Sequence, residues 1–314
     1  FYMQSNNQKK QGKDFGYRFL WRLALLGVFA TWNAAFFPAG DVLLLFVVVG
    51  VVLFLTRSWS DRAIGVAAVV LLLQPVEWYH YIANLINPAH RLPDLKVAEM
   101  YGEVADYTKA GNWRDFLLGN VTLGQKASFL WAVNAGRFVQ TAGLFLLGFF
   151  IGRKQLFMTN EKNIVFWTKV LIISAISFAP LYTLKELVME NDPIVQQTVG
   201  TAFDMWQKLA FTLVLVASFI LLYQHKNFSK AVAGLRFYGK MSLTNYISQS
   251  IIGAFIYFPI GLNLAPYCGY TLSLSVGFLI FLLQLKFCKW WLARHKQGPL
   301  EYIWHKCTWI GTGK

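Results

Sequence analysis

Eight apolar stretches dominate this sequence: residues 19–37, 42–57, 63–82, 129–151, 164–182, 206–223, 243–262 and 271–292. Each is close to the roughly 20 residues that a helix needs to cross the hydrocarbon core of a bilayer. Long runs among them have no polar face, so they cannot lie as surface helices on a soluble protein. In lipid such runs must satisfy their own backbone groups, which helices do. The expected fold is therefore all-α, a polytopic transmembrane helical bundle of about eight spans. Composition agrees, with 56% hydrophobic and 14% charged residues in a chain of 314, against about 25% charged in ordinary soluble domains. A soluble globular enzyme, a disordered tail and a small disulfide scaffold are excluded.

The charges fix an expected topology. Lys+Arg is 29 and Asp+Glu is 15, a net charge of +14. With the N-terminus in the cytoplasm and sides alternating, the cytoplasmic pieces hold 21 of the basic residues, from Lys9, Lys10 and Lys13 to Lys306 and Lys314. Only Asp14, Asp61, Glu161 and Glu301 accompany them. The outer pieces hold seven basic and ten acidic residues, and Arg137 and Glu77 remain inside the membrane. This distribution obeys the positive-inside rule and places both termini in the cytoplasm. The positive charge thus reads as a topology signal with affinity for anionic lipid heads, not as a nucleic-acid groove.

The chain reads as one integral-membrane domain, 1–314, with an extracytoplasmic insertion at 83–128. Within that insertion, residues 95–109 have the pattern of an amphipathic helix lying on the outer surface. Residues 183–205 form a second, acidic outer loop. Phe228–Met241 reads as a surface helix, and Gly298–Trp304 as a tail along the inner interface. The polar stretch Ser5–Lys13 resembles the cytoplasmic end of an earlier helix. Pro38-Ala39-Gly40-Asp41 predicts a tight turn in which Gly40 takes a positive φ and Asp41 caps the next helix. Pro75 predicts a kink in the third span.

The cysteines (Cys268, Cys288, Cys307) fall on opposite sides of the membrane and fit no metal spacing, and the five histidines form no i, i+4 pair. No metal site is expected. There is no GxSxG elbow, Walker loop or GxGxxG after a strand.

Ionisable groups within spans are functional candidates because burying them is costly. Arg137, in the stretch from Asn134 to Gln140, suits clamping an anionic group, or pairing with Glu77 or Asp41 to hold helices together. Asp41 suits a general base or its orienting partner, or a plain N-cap. Glu77 and His80 share a helical face at i, i+3, the spacing of a proton-abstracting pair or of a cap on a kinked helix. Ser242, Asn245, Tyr246 and Gln249 form a polar stripe. It lines a cavity, or it hydrogen-bonds neighbouring helices. The sequence shows no paired broken helices of the kind secondary transporters use.

The sequence resembles the YeiB-like membrane proteins, which carry domain of unknown function 418. The matching patches are Gly40-Asp41-Val42-Leu43, Gly136-Arg137-Phe138, and Leu147-Gly148-Phe149-Phe150-Ile151-Gly152-Arg153. They continue with Gly239 to Tyr246 plus Gln249, Trp290-Trp291, and Gly298-Pro299-Leu300-Glu301-Tyr302-Ile303-Trp304. The resemblance implies a bacterial-type inner-membrane protein, distantly similar to membrane-embedded acyltransferases. Acyl-CoA is then the co-substrate, with no permanently bound cofactor, and the acceptor is an extracytoplasmic glycan or lipid. Asp41 and Arg137 become the catalytic candidates. Glu77, His80, Gln140, Asn245, Tyr246 and Gln249 become substrate-binding ones. Relatives often carry His eight residues before the Asp of the turn, where this chain has Asn33. The resemblance also implies that two N-terminal spans of the family are missing here. A transporter or lipid-handling protein is the alternative reading, and a homodimer is compatible with either.

Overall fold

The computed structural model describes residues 1–10 and 15–310. Lys13, Asp14 and Lys314, counted above among the cytoplasmic charges, lie outside the described residues. The described chain is helical, with no strand. In order it forms α1 (Tyr2–Lys9), α2 (Gly16–Phe36), α3 (Leu43–Leu55), α4 (Asp61–Leu72), α5 (Pro75–Ile86), α6 (Val97–Lys109), α7 (Trp113–Gly119) and α8 (Gln125–Asn134). It continues through α9 (Arg137–Arg153), α10 (Glu161–Met189), α11 (Pro193–Val195), α12 (Thr201–Tyr223), α13 (Lys226–Ala231), α14 (Leu235–Lys240), α15 (Ser242–Tyr257), α16 (Tyr270–Leu292) and α17 (Pro299–Thr308). Single π-helical turns, Asn120–Gly124 and Gln196–Gly200, lead into α8 and α12.

Four segments are single helices long and apolar enough to cross a membrane: Gly16–Phe36, Glu161–Met189, Pro193–Tyr223 and Tyr270–Leu292. The number rises to six if each of two bent helix pairs counts as one span. Their apolar side chains point outward. Ile172, Ile173 and Ile176 of α10, Phe211, Leu215 and Phe219 of α12, and Leu274, Phe278 and Leu279 of α16 are all exposed. An apolar surface this continuous is far outside what a water-soluble monomer presents, and lipid is the solvent that accepts it.

Two expected spans are interrupted. The 63–82 segment breaks between α4 and α5 by 49°, as Pro75 predicts. Gln74 at the break is left-handed, with φ +58°. The 129–151 segment, expected to be continuous, also breaks. Gly136 takes φ +63°, a conformation that ends α8 and starts α9. The 42–57 and 243–262 segments become the shorter helices α3, of 13 residues, and α15, of 16. Much of the acidic 183–205 loop is helical, because α10 runs on to Met189 and α12 starts at Thr201.

Chain contacts divide the protein into two compact units: Phe1–Phe19, Val48–Leu95 and Ala132–Lys230; and Leu20–Val47, Lys96–Trp131 and Ala231–Lys314. In the first unit, Leu53, Ile64, Ala68, Leu146 and Phe149 form one core between α3, α4 and α9. Ile151, Trp167 and Ala217 form another between α9, α10 and α12. Local chemistry sets the helix starts. Ser60 caps α4 by accepting from the Ala63 amide at 3.2 Å, and Asn160 caps α10 by accepting from the Asn163 amide at 2.9 Å.

In the second unit, Phe29, Ala30, Leu43, Leu243 and Ile247 pack α2 and α3 against α15. The C-terminal helix is tied to α2. Trp304 Nε1 donates to the Arg22 carbonyl at 3.1 Å, and the Arg22 guanidinium lies 4.3 Å over the Trp304 ring. Glu301 takes over the N-cap of α15, accepting from the amides of Leu243 at 2.7 Å and Thr244 at 3.0 Å. The amphipathic helix expected at 95–109 is α6, whose Met100 and Val104 pack with Ala39 and Ala127.

Candidate functional site

In the second unit, the turn between α2 and α3 carries a buried polar cluster. The turn differs from expectation in one detail: Ala39, with φ +46°, is its left-handed residue. Gly40 is needed for space instead, since a Cβ there would lie 2.7 Å from the Phe37 ring. Asp41 Oδ2 caps α3 by accepting from the Leu44 amide at 3.2 Å. Its Oδ1 accepts from Asn33 Nδ2 at 2.8 Å. The eight-residue separation thus brings the end of α2 back onto the turn. Ser128 of α8 donates to the Asp41 carbonyl at 2.8 Å.

Asn33 is completely buried and Asp41 is 5% exposed. Burial pushes the Asp41 carboxyl above the usual carboxylate range, against the hydrogen bonds from Leu44, Asn33 and Leu43 that favour its charged form. Tyr246 of α15 feels Asp41, Asn33 and the Val42 backbone. Its hydroxyl forms no hydrogen bond of good geometry, and neither does Asn33 Oδ1. The cluster therefore holds a carboxylate inclined to take a proton, beside the buried Asn33 amide and the Tyr246 hydroxyl. That arrangement suits a ligand bearing a hydroxyl or amine.

The polar stripe of α15 splits. Tyr246 faces the Asp41 cluster, whereas Asn245 and Gln249 join a network with α14 and α16. Asn245 Nδ2 donates to the Tyr238 carbonyl at 3.1 Å. Gln249 Nε2 donates to the Tyr238 hydroxyl at 2.7 Å and to Gln284 Oε1 at 2.9 Å. Gln284 Nε2 returns bonds to the Asn245 carbonyl and Ser248 Oγ. This is interhelical hydrogen bonding, the structural alternative for the stripe. Gln284 was legible only as a lone amide in an apolar span.

In the first unit, the breaks after α4 and before α9 come together. Glu77, 8% exposed, places Oε1 only 2.6 Å from where a Cβ on Gly136 would stand. Gly136 is thus required both by its φ and by the carboxylate against its Cα. Arg137 Nη1 donates to Gln140 Oε1 at 3.1 Å, and Gln140 Nε2 donates to the Met205 carbonyl at 3.3 Å. Glu77 and His80 share a helix but have different neighbours. His80 Nδ1 lies 3.0 Å from His90 Nε2, with the rings stacked. Gln74, just before Pro75, is completely buried, a feature that the Pro75 kink alone does not signal.

Comparison with known proteins gives a family but no activity. The sequence model described as "Protein of unknown function (DUF418)" matches residues 151–311. Uncharacterized protein YxaH of Bacillus subtilis (strain 168) is 25% identical over 95 residues, 30% of this chain and 24% of that protein. The "Uncharacterized 39.9 kDa protein in amylase 3'region" of Bacillus acidopullulyticus is 37% identical over 91 residues, 28% of this chain and 25% of that protein. The matched region thus spans about a quarter of the length of these relatives. No solved structure matches the chain.

Proposed function

Because this chain belongs to the DUF418 family of proteins of unknown function, we propose its activity from its own residues: acyl transfer from cytoplasmic acyl-CoA to an extracytoplasmic glycan or lipid. The observation that carries this reading is the buried Asn33–Asp41–Tyr246 cluster, in which Asn33 donates to a carboxylate that burial inclines towards protonation. A carboxyl raised by burial is a better base than an exposed one. The acceptor hydroxyl would give its proton to Asp41 while its oxygen attacks the thioester carbonyl. The C–O bond forms, the C–S bond breaks, and the proton leaves with the coenzyme A thiol. Asn33 would keep the carboxylate oriented, and Tyr246 would hold the acceptor or the developing oxyanion.

Arg137, held by Gln140, would engage an anionic group of a substrate in its own unit. The proposed topology has eight crossings, counting α3 and α15 and treating α4–α5 and α8–α9 as one each. Both termini lie in the cytoplasm of an inner membrane.

The test is calorimetry of acetyl-CoA and longer acyl-CoA with the full-length protein in detergent. Saturable binding that adenosine does not reproduce, with transfer abolished and binding retained in Asp41→Asn, is the expected result. Absence of binding by folded protein overturns the reading. A second reading, transport or lipid handling, gains support from the two helix breaks that meet at Glu77 and Gly136, since discontinuous spans form substrate and ion sites in transporters. Solute movement in sealed vesicles without consumption of acyl-CoA would favour it.

A further inference from the structure

His80 and Asn84 lie at i, i+4 on one face of α5, and both reach residue 90. His80 Nδ1 stands 3.0 Å from His90 Nε2, and Asn84 Nδ2 donates to the His90 carbonyl at 3.1 Å. The chain beyond α5 makes a turn of its own. The His90 amide donates to the Asn87 carbonyl at 2.8 Å, and the Ala89 amide donates to Asn87 Oδ1 at 3.1 Å. The Arg91 guanidinium closes the turn, donating to the Pro88 carbonyl at 2.6 Å and to the His90 carbonyl at 3.2 Å. This 87–91 turn is thus fastened to α5 through residue 90. The two ring planes are inclined by 23°, and the ring centroids are 5.3 Å apart. That separation equals the N···N distance plus the radii of the two rings, so the facing nitrogens lie on the line between the centroids. A metal ion on that line would hold them about 4 Å apart, the sum of two Zn–N bonds of about 2.0–2.1 Å. The observed 3.0 Å is the length of a hydrogen bond.

An N–H···N bond needs one protonated and one bare nitrogen, and a neutral histidine pair meets that need. One added proton goes to an outer nitrogen, His80 Nε2 or His90 Nδ1, and makes the bond charge-assisted. A second added proton puts N–H on both facing nitrogens, which then repel. We propose that His80 and His90 form a proton-operated clasp: the bond between their rings holds the 87–91 turn on α5 until the pair takes up a second proton, which releases it. Both imidazoles are half-buried, so protons reach them. The clasp lies within the first unit and does not rest on the acyl-transfer reading. In the proposed topology it faces the outer solution, whose acidity it would read.

Other titratable groups surround the pair. On α5, the Tyr79 ring lies 5.4 Å from that of His80, Tyr81 meets Trp78, and Glu77 lies against Gly136. Arg91 is engaged as described, and Asp94 follows it in the chain. Of the elements packed on α5, α4 has Asp61 and Arg62 at its far end. The stretch Pro193–Gly200 has no ionisable side chain, and Asp192 precedes it. On α12, Asp204 pairs with Lys208 and with Lys185 of α10. All these groups remain in the variants below, so the difference between proteins isolates the histidines.

Hydrogen exchange of the Ala89 and His90 amides tests the clasp in the full chain in detergent. It is followed from about pH 8 to 4.5, a range that spans the ordinary titration of histidine, and corrected for the intrinsic pH dependence of exchange. Wild-type protection should hold near neutral pH and then drop in one step, by about three- to tenfold, the equilibrium worth of one hydrogen bond. His90→Phe keeps a ring and removes both nitrogens. It should show the low protection at every pH, with no step. Wild-type protection that stays flat, or a His90→Phe protein that keeps the step, overturns the proposal. If His90→Phe does not fold, Asn84→Ala leaves the ring pair and removes the second tie to residue 90. Its step should persist and grow larger, and a vanished step overturns the proposal.

Discussion

Asp41 shows how burial and hydrogen bonding compete over a single carboxylate. Burial raises its pKa, and three hydrogen bonds oppose that rise without cancelling it. A raised carboxyl binds its proton more tightly folded than unfolded. Its contribution to stability is therefore fully present below its ordinary value of 3.8 and declines as pH rises through the folded value. Detergent-solubilised Asp41→Asn should lack this decline, as melting curves across acidic pH will show. Asn33→Ala removes the amide that donates to Oδ1 at 2.8 Å. It leaves a buried acceptor short of a partner, at a cost of about 1–3 kcal/mol in denaturant unfolding. The tyrosine of α6 is a simpler case. Burial pushes the Tyr107 hydroxyl up to about 12, and it donates to Asn120 Oδ1 at 2.8 Å. Ultraviolet titration should find Tyr107 among the tyrosines that ionise after the exposed ones, and Asn120→Ala should leave it without its acceptor.

Helix ends carry much of the specificity at the next scale. Gly136 stands at φ +63° with the Glu77 carboxylate against its Cα. Gly136→Ala meets both obstacles, and the left-handed backbone alone costs about 1–2 kcal/mol. The expected result is a lower melting temperature that Glu77→Ala, which clears the space but not the strain, restores only in part. Glu301 illustrates a cap supplied from far along the chain. It receives both the Leu243 and Thr244 amides at the start of α15, and Thr244 Oγ1 donates to its second oxygen at 2.6 Å. Glu301→Ala should cost about 1–2 kcal/mol, the upper range for a lost N-cap. The same variant should loosen α17, which circular dichroism and protease sensitivity of the C-terminal segment will report.

For the whole molecule, exposed apolar faces on α10, α12 and α16 require lipid or detergent, and the proposed direction rests on the charge asymmetry. Reporter fusions placed after Lys230 and within residues 110–112 should report opposite sides of the membrane. Agreement of both with one side would remove the eight-crossing topology. Length and hydropathy alone give four to six spans, because α3 and α15 are short and two spans are bent. The proposed eight crossings rest on charge, and the reporter fusions test them.

Apolar runs, the amphipathic helix α6, the Asp41 cap and the kink at Pro75 were all legible in the sequence, because each depends on neighbouring residues or on a period of about 3.6. The break at Gly136 was not. A glycine within an apolar run is equally compatible with close helix packing, and only the approach of Glu77 from another helix fixes its role. The division of the α15 stripe was equally hidden. Asn245 and Tyr246 are adjacent in sequence, yet one meets Gln284, 39 positions away, and the other the turn at Asp41. The sequence by itself determined that the chain is helical and apolar enough for lipid, and which residues bring charge or polarity to its apolar segments. Tertiary structure alone decided which of those polar groups satisfy one another and which stay unpaired. In an apolar interior a hydrogen bond depends on a partner within about 3 Å, and sequence spacing fixes that distance only within one helix.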